Sequence, residues 1–350
     1  MNPFSNFNAG MVEATLKGLT ETLQKAGVST TDVTGLGLTR EDLSPILALM
    51  VPTDTPVRNR LRRIGGNGPA HAWYQQIAQA DTDGSLFFGT TPSGAAFAAG
   101  GLPVKTASKY RRVSAPFVQL GDQVNVTIFD QAAGRSYSDL LQHETDVALM
   151  NTALCEEWMT INGDSSVNSL YYDGLLKQVN TNIVDAGGVQ FKLSHIASAQ
   201  QKVYDLGGMT RMNVMSTRMK RKVNDLIVAS YYGIRQMTSV AGANMFGGGI
   251  NVKSWDFGYG DTDLIQSRYM QPGAGTSGGT TETILCLDEQ SSGKDGNAIE
   301  MVDLLPVSLF DLGMITSSHQ KLVMEISVLK LTSPNFQGKV TNLAAPTYNT

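Results

Sequence analysis

A long apolar stripe runs between residues 136 and 162, where Leu140, Val147, Met150, Leu154, Trp158 and Ile161 fall on one face of a helix. Ser136 and Asp139 give it a start resembling a capping box, with Asp in place of the usual Glu or Gln. Asn162-Gly163-Asp164 stops it, and Gly163 suits the left-handed position that often follows a last turn. At the standard rise this helix measures about 40 Å, long enough to act as a spine. A polar spacer then leads to Tyr171-Tyr172-Asp173-Gly174-Leu175, where a second region opens.

Elsewhere the pattern is shorter. Residues 11–26 carry Val12, Leu16, Leu19 and Leu23 at helical spacing, with Gly27 as a stop, and "TREDLSPILALM" reads as a short helix. "DQVNVTIFDQ" (122–131) alternates, with Val124, Val126 and Ile128 on one face, and predicts a half-buried strand. "LSHIASAQQKVYDLGGMTRMNVMSTRMKRKVNDLIVAS" predicts helix, Gly-Gly turn, short strand and helix. "NVKSWDFGYGDTDLIQSRYM" and "ETILCLDE" read as strands separated by the Gly-rich "GAGTSGGTT". "HQKLVMEISVLKLTSPNF" (319–336) alternates strongly and is closed by Pro334.

Residues 68–112 break the pattern. "HAWYQQIAQA" and "VKTASKYRRVSAPFVQL" read as strands, but "DTDGSLFFGTTPSGAAFAAGGLP" between them has no core of its own. So long a structureless loop is improbable inside a compact domain. A two-stranded hairpin that leaves the domain accounts for it, each arm of about 15 residues reaching roughly 50 Å. Such a ribbon is marginal alone in water, so neighbouring subunits are expected to hold it.

Composition narrows the picture. The 350 residues include 27 basic and 31 acidic side chains, a formal net charge of −4, so the chain as a whole is no polyanion binder. Length allows two or three subdomains, and 36 glycines with 17% charged residues favour loops and strands over a helical bundle. Cys155 and Cys286 lack metal-type spacing and read as buried thiols in a reducing compartment. There is no signal-like N-terminus and no apolar window of roughly 20 residues, so a soluble, intracellular product with no membrane partner is expected. Arg58, Arg60, Arg62 and Arg63 in "RNRLRR", and Arg111-Arg112, are the dense positive patches singled out. Ion pairs across a subunit contact are the favoured reading, and contact with packaged nucleic acid the alternative.

Catalytic motifs fail on context. Gly275-Thr276-Ser277-Gly278-Gly279 fits G-x-S-x-G, but no strand precedes it and no helix follows. His143-Glu144 is followed by Val147 where a zinc helix needs His. "GKDG" at 293 lacks the rest of a phosphate loop, and Asp81-Thr82-Asp83-Gly84 has Pro92 where a calcium loop needs Glu. His71, His195 and His319 are scattered. No catalytic residue, cofactor or metal is expected.

In order, the chain offers an N-terminal arm, an extended hairpin, a strand, a spine helix ending at "MTINGD", an α/β region opening at "YYDGLL" and a strand returning to the spine. This resembles the major capsid protein of tailed bacteriophages, with the Hong Kong ninety-seven fold. The likeness covers most of the chain and is best marked at "CEEWMTINGDSSVNSLYYDGLLKQV" and "VYDLGGMTRMNVMSTRMKRKVNDL". It implies an α+β architecture with an N-arm at 1–50 and an E-loop hairpin at 68–112. A peripheral domain would comprise 51–67, 113–170 and 316–350, with the spine at about 136–162, and an axial domain 171–315. Pentamers and hexamers would close an icosahedral head around double-stranded DNA, met by non-specific contact only. The shell would belong to the virion and be built in the host cytoplasm, with a scaffolding protein, a portal and a decoration protein as candidate partners. Phe87, Phe88, Phe97, Lys105, Arg111 and Arg112 would make intersubunit contacts, and Leu16, Leu19 and Leu23 would anchor the arm. Some relatives join Lys to Asn between subunits, but no Asn or acidic catalyst can be matched to Lys105 or Lys109, so no cross-link is expected. The rival readings are an encapsulin-like nanocompartment shell, a tail or decoration protein, and a serine hydrolase using Ser277.

Overall fold

A computed structural model describes residues 53–80, 98–102, 107–134, 139–235, 252–270, 281–290 and 297–346. Leu16, Leu19, Leu23, Phe87, Phe88, Phe97, Lys105, Ser136 and Ser277 lie outside them. The first elements are β1 (Arg62–Gly65), β2 (Ala70–Ala80), β3 (Ala107–Pro116), β4 (Val118–Thr127), α1 (Ile128–Gly134), α2 (Leu140–Asn162), α3 (Leu175–Gln178) and β5 (Ile183–Asp185). There follow α4 (Leu193–Asp205), β6 (Met212–Met215), α5 (Thr217–Arg235), β7 (Ser254–Asp256), β8 (Asp261–Gln266) and β9 (Thr281–Leu287). The last are β10 (Ile299–Ile315), β11 (Ser318–Leu331) and β12 (Gly338–Ala344).

The first sheet has the order β1-β10-β11-β4. Its centre is the long hairpin β10–β11, with β4 antiparallel on β11 and β1 parallel on the start of β10. The alternation read in the sequence places Val323 and Glu325 on one face, and α2 covers that face through Ala148, which packs with Val124, Val126 and Val323. The second sheet runs β5-β12-β9-β6-β8-β7. Along β9, Ile284 and Cys286 pack with Ile196 and Ala199 of α4 and with Met219 and Val223 of α5. Leu285 and Leu287 point the other way, into a core shared with Met159 and Ile161 of the spine and Val302 and Leu329 of the first sheet. Burial on both faces explains why β9 ends in an unbroken apolar run, Ile284 to Leu287. Among the described strands, β2 and β3 pair only with each other, from Ala70 opposite Pro116 to Ala80 opposite Ala107.

Several details differ from the sequence reading. The spine begins at Leu140, because Asp139 is the cap residue, accepting from the backbone N–H of Leu141 and Gln142 at 3.2 and 3.3 Å. It is therefore 23 residues and about 35 Å long. The strand expected over 122–131 ends at Thr127, whose hydroxyl accepts from Asp130 N–H at 3.1 Å and caps α1. The two-residue turn at Thr316 and Ser317 keeps β10 beside β11, while β12 inserts between β5 and β9. Residues 316–350 thus contribute one strand to each sheet. Cys155 is exposed, contrary to expectation, and Cys286 is buried.

Gly163 is the most instructive difference. Its φ of −53° and ψ of 135° are open to any residue, so left-handed backbone is not the reason for glycine here. Space is: a Cβ would lie 2.3 Å from the Tyr172 carbonyl oxygen and 2.6 Å from that of Met159. At Gly174 a Cβ would meet the Gly163 nitrogen and the Met159 carbonyl oxygen, both at 2.7 Å. Gly174 N–H donates to the Gly163 carbonyl at 2.8 Å, so the returning chain crosses the spine's last turn backbone to backbone. Gly163→Ala and Gly174→Ala are each expected to cost about 2 kcal/mol or more in urea unfolding. Gly65→Ala, with nothing within 4 Å of its Cβ, should cost far less.

Candidate functional site

The chemistry of the described residues concentrates where the segment before β1 crosses the spine. Residues 53–61 form a strap whose apolar side chains, Val57 and Leu61, are buried in the shared core. Glu156 and Glu157 of α2 are both fully buried. Neighbours on a helix point about 100° apart, so the two carboxylates serve different partners. Glu157 accepts from the backbone N–H of Val57 at 3.2 Å and of Arg58 at 2.6 Å, and from the Ser267 hydroxyl at 3.3 Å. Glu156 is held by the guanidinium groups of Arg58 and Arg63. Arg63 also donates through Nη1 to Asp303 of β10 at 3.0 Å and to Glu325 of β11 at 2.7 Å. One side chain therefore ties β1, the spine and both strands of the central hairpin.

Charge does not balance in this joint. Three carboxylates (Glu156, Asp303 and Glu325) share two guanidiniums, those of Arg58 and Arg63, while Glu157 beside them bonds only backbone N–H groups and the Ser267 hydroxyl. Burial, and next the Glu156 carboxylate, push Glu325 up to about 7, against the pull of Arg63. Burial raises Asp303 too, opposed by Arg63, and raises Glu157, opposed by the two backbone N–H groups. Buried Tyr172 closes the joint with a 3.1 Å hydrogen bond between its hydroxyl and that of Thr160; burial raises its pKa.

Among the arginines singled out in the sequence, Arg58, Arg60 and Arg63 find partners within the chain. Arg60 grips Glu289 through Nε and Nη2, both at 2.9 Å, and reaches Asp263 at 2.5 Å. Arg62 is exposed on β1. Arg111 donates to the Gln75 side chain across the ribbon at 3.0 Å, and Arg112 is exposed opposite Tyr74. The sequence reading missed the acidic half of the joint. Its signal was present: Glu325 shares strand parity with Val323, an acid on a core-facing position, and Glu156-Glu157 sits between the stripe residues Leu154 and Trp158. Among the described residues no group of His, Cys, Asp and Glu could hold a metal ion.

Residues 24–292 match the family model of the SU10 major capsid protein. The chain belongs to that family. No curated protein matches it. Among solved structures it is similar to the holo-SrpI encapsulin complex from Synechococcus elongatus, with a TM-score of 0.58, 14% identity, and coverage of 92% of this chain and 99% of that one. The capsid of a native GTA particle gives 0.59 at 12% identity, covering 90% of this chain and 99% of that one. Microbacterium phage Oxtober96 gives 0.59 at 12% identity, with 90% and 98% covered. The fold is accordingly of the Hong Kong ninety-seven type, and the chain is a major capsid protein, a structural component of a phage virion.

In a capsid subunit the joint sets the angle between spine, strap and sheet. Because folding raises the pKa of Glu325, its contribution to stability is complete below the ordinary carboxylate range and fades as pH rises through about 7. Glu325→Gln mimics the protonated acid and keeps an acceptor for Arg63. It should flatten the pH dependence of unfolding and exceed the parent's stability at pH 8 by about 1 kcal/mol or more. Arg63→Met, which leaves Asp303 and Glu325 without a guanidinium partner and Glu156 with Arg58 alone, should cost about 3–5 kcal/mol at pH 8 in the same urea titrations.

Proposed function

We propose that this capsid protein assembles as pentamers and hexamers into an icosahedral head that encloses double-stranded DNA. In this reading residues 68–112 are the E-loop, lying over a neighbouring subunit, and 1–50 are an arm that reaches another. Residues 51–67, 113–170 and 316–350 form the peripheral domain, and 171–315 the axial domain around the capsomer axes. Assembly takes place in the host cytoplasm with a separate scaffolding protein and a portal as partners, and a decoration protein as a candidate.

The ribbon carries this reading. Among the described strands β2 and β3 pair only with each other, and Tyr74 and Tyr110 stand 70% and 66% exposed on the ribbon. A two-stranded ribbon with bare aromatics is marginal in water. Its root is tied down, with Gln75 donating to the Leu331 carbonyl at 3.2 Å, so the ribbon leaves the body in a fixed direction. Copies of the chain supply the missing contacts, and Phe87, Phe88 and Phe97 bury against a neighbour. Arg62, Arg111 and Arg112 meet neighbouring subunits, while Arg58, Arg60 and Arg63 are committed to carboxylates of their own chain.

A second reading, a nanocompartment shell holding protein cargo, draws on the likeness to the encapsulin complex. Nucleic acid inside purified particles separates the two: DNA supports the phage head, and cargo protein without DNA supports the nanocompartment. Sedimentation and negative-stain microscopy of the chain, expressed with its neighbouring genes, should show closed shells. The triple substitution of Phe87, Phe88 and Phe97 by Ser should leave folded subunits that assemble poorly. Normal yields of stable shells from that variant would contradict the E-loop assignment.

A further inference from the structure

The turn between β1 and β2, where the ribbon leaves the body, sets an asparagine before a glycine. The sequence holds two Asn-Gly pairs, Asn67-Gly68 in this turn and Asn162-Gly163 at the end of the spine. Such a pair has a chemistry of its own. The backbone nitrogen of the second residue can attack the side-chain amide carbon of the first, and glycine leaves that nitrogen open because it has no Cβ beside it. Whether the attack occurs depends on what the fold does with the two reacting groups.

The fold treats the two pairs in opposite ways. At Asn162-Gly163 both groups are committed: the Gly163 N–H donates to the Met159 carbonyl at 2.9 Å, and Asn162 Nδ2 donates to the Tyr269 carbonyl at 3.0 Å. Gly163 is also buried. At Asn67-Gly68 both residues are exposed, and no described residue bonds the Asn67 side chain or the Gly68 N–H. Gly68 has a φ of 81°, and a Cβ placed on it would meet nothing within 4 Å, so its nitrogen stands in clear space. Anchors lie on either side. Gly66 N–H donates to the Asp303 carbonyl at 2.8 Å, and a Cβ there would lie 2.5 Å from the Phe117 ring. The Pro69 carbonyl accepts from Phe117 N–H at 3.4 Å. The reactive pair is the span between these two anchors.

We propose that Asn67 is a site of spontaneous deamidation, and that the product re-aims the ribbon. The deprotonated Gly68 nitrogen bonds to Asn67 Cγ, the bond from Cγ to the side-chain nitrogen breaks, and ammonia leaves with the proton that Gly68 gave up. Water then opens the cyclic imide. Attack at Cγ gives aspartate, and attack at the Asn67 backbone carbonyl gives isoaspartate. In sum, water replaces ammonia, with no oxidant or reductant. Isoaspartate routes the main chain through the former side chain and so adds a methylene between the Gly66 and Pro69 anchors. Aspartate adds the same negative charge but leaves the backbone path as it was. The chemistry needs nothing beyond this chain and water, and its effect on assembly rests on the ribbon reading above.

The purified chain is held at pH 8 in heavy-oxygen water, so that only conversion during the incubation carries the label. It is then digested, and mass spectrometry follows a separation that resolves isoaspartate from aspartate. The Asn67 peptide should take up label in both forms, faster at pH 8 than at pH 6. It should do so about a hundredfold faster than the Asn162 peptide, where reaction waits for the spine's end to open. In guanidinium chloride the two rates should converge. An Asn67 peptide as inert as that of Asn162 in the folded chain overturns the proposal. So does a difference that survives unfolding, because the fold would then not be its cause. Aged parent should give fewer shells than fresh parent, while aged Asn67→Gln and fresh Asn67→Asp keep the fresh yield. Equal yields from aged and fresh parent, or a matching loss in Asn67→Asp, overturn the re-aiming of the ribbon. A fresh parent that forms no shells contradicts the shell reading, and the labelling alone then decides for Asn67.

Discussion

Arg63 holds this subunit's geometry together. Its guanidinium meets Glu156 on the spine, Asp303 on β10 and Glu325 on β11, while Glu157 ties the strap by its backbone. A buried ionic group of this kind adds little net stability over apolar packing of the same volume. What it adds is direction. Planar guanidinium and carboxylate groups bond well in few orientations, so the strap, spine and hairpin are held in one arrangement. The strap before β1 is itself part of the joint, and the ribbon leaves a few residues after β1. Small errors of angle at the joint would be magnified along a ribbon strand of 11 residues.

The rest of the surface follows from a division of labour. The two sheets and the spine bury their own cores, and Met159, Ile161, Leu285, Val302 and Leu329 join them into one body. Outside that body the chain leaves apolar groups in water, at Tyr74 and Tyr110 on the ribbon, at the hairpin tip, and at Val167 and Leu170 after the spine. A monomer would carry these as a liability. In the proposed shell these are the surfaces offered to other copies, and the entropy of ordering them would be offset on assembly.

Much of this was legible in the sequence, for a physical reason: periodicity reports which face of an element meets a core. The spine, the α4–β6–α5 succession, β9 and β11 all declare themselves by period and punctuation. Glycine was harder. Gly163 and Gly174 read as turn formers, but a backbone crossing needs them, and a sequence cannot show which two segments cross. The hairpin partner of β11 was also hidden. β10 has bulges, Pro306 and an apolar rim that break strict alternation, so it reads as no clean strand. The joint was half legible, since its arginines stand in a visible cluster, while its carboxylates are scattered over three elements that only the fold brings together.

The account stands on the claim that the ribbon and the joint serve assembly. A reconstruction of purified particles by electron cryomicroscopy, at a resolution that shows side chains, tests it most directly. It should show Arg63 bonded to Glu156, Asp303 and Glu325 in every copy, with the β2–β3 ribbon lying across a neighbouring subunit. A ribbon folded back onto its own chain, or a joint that opens in the assembled shell, would contradict it.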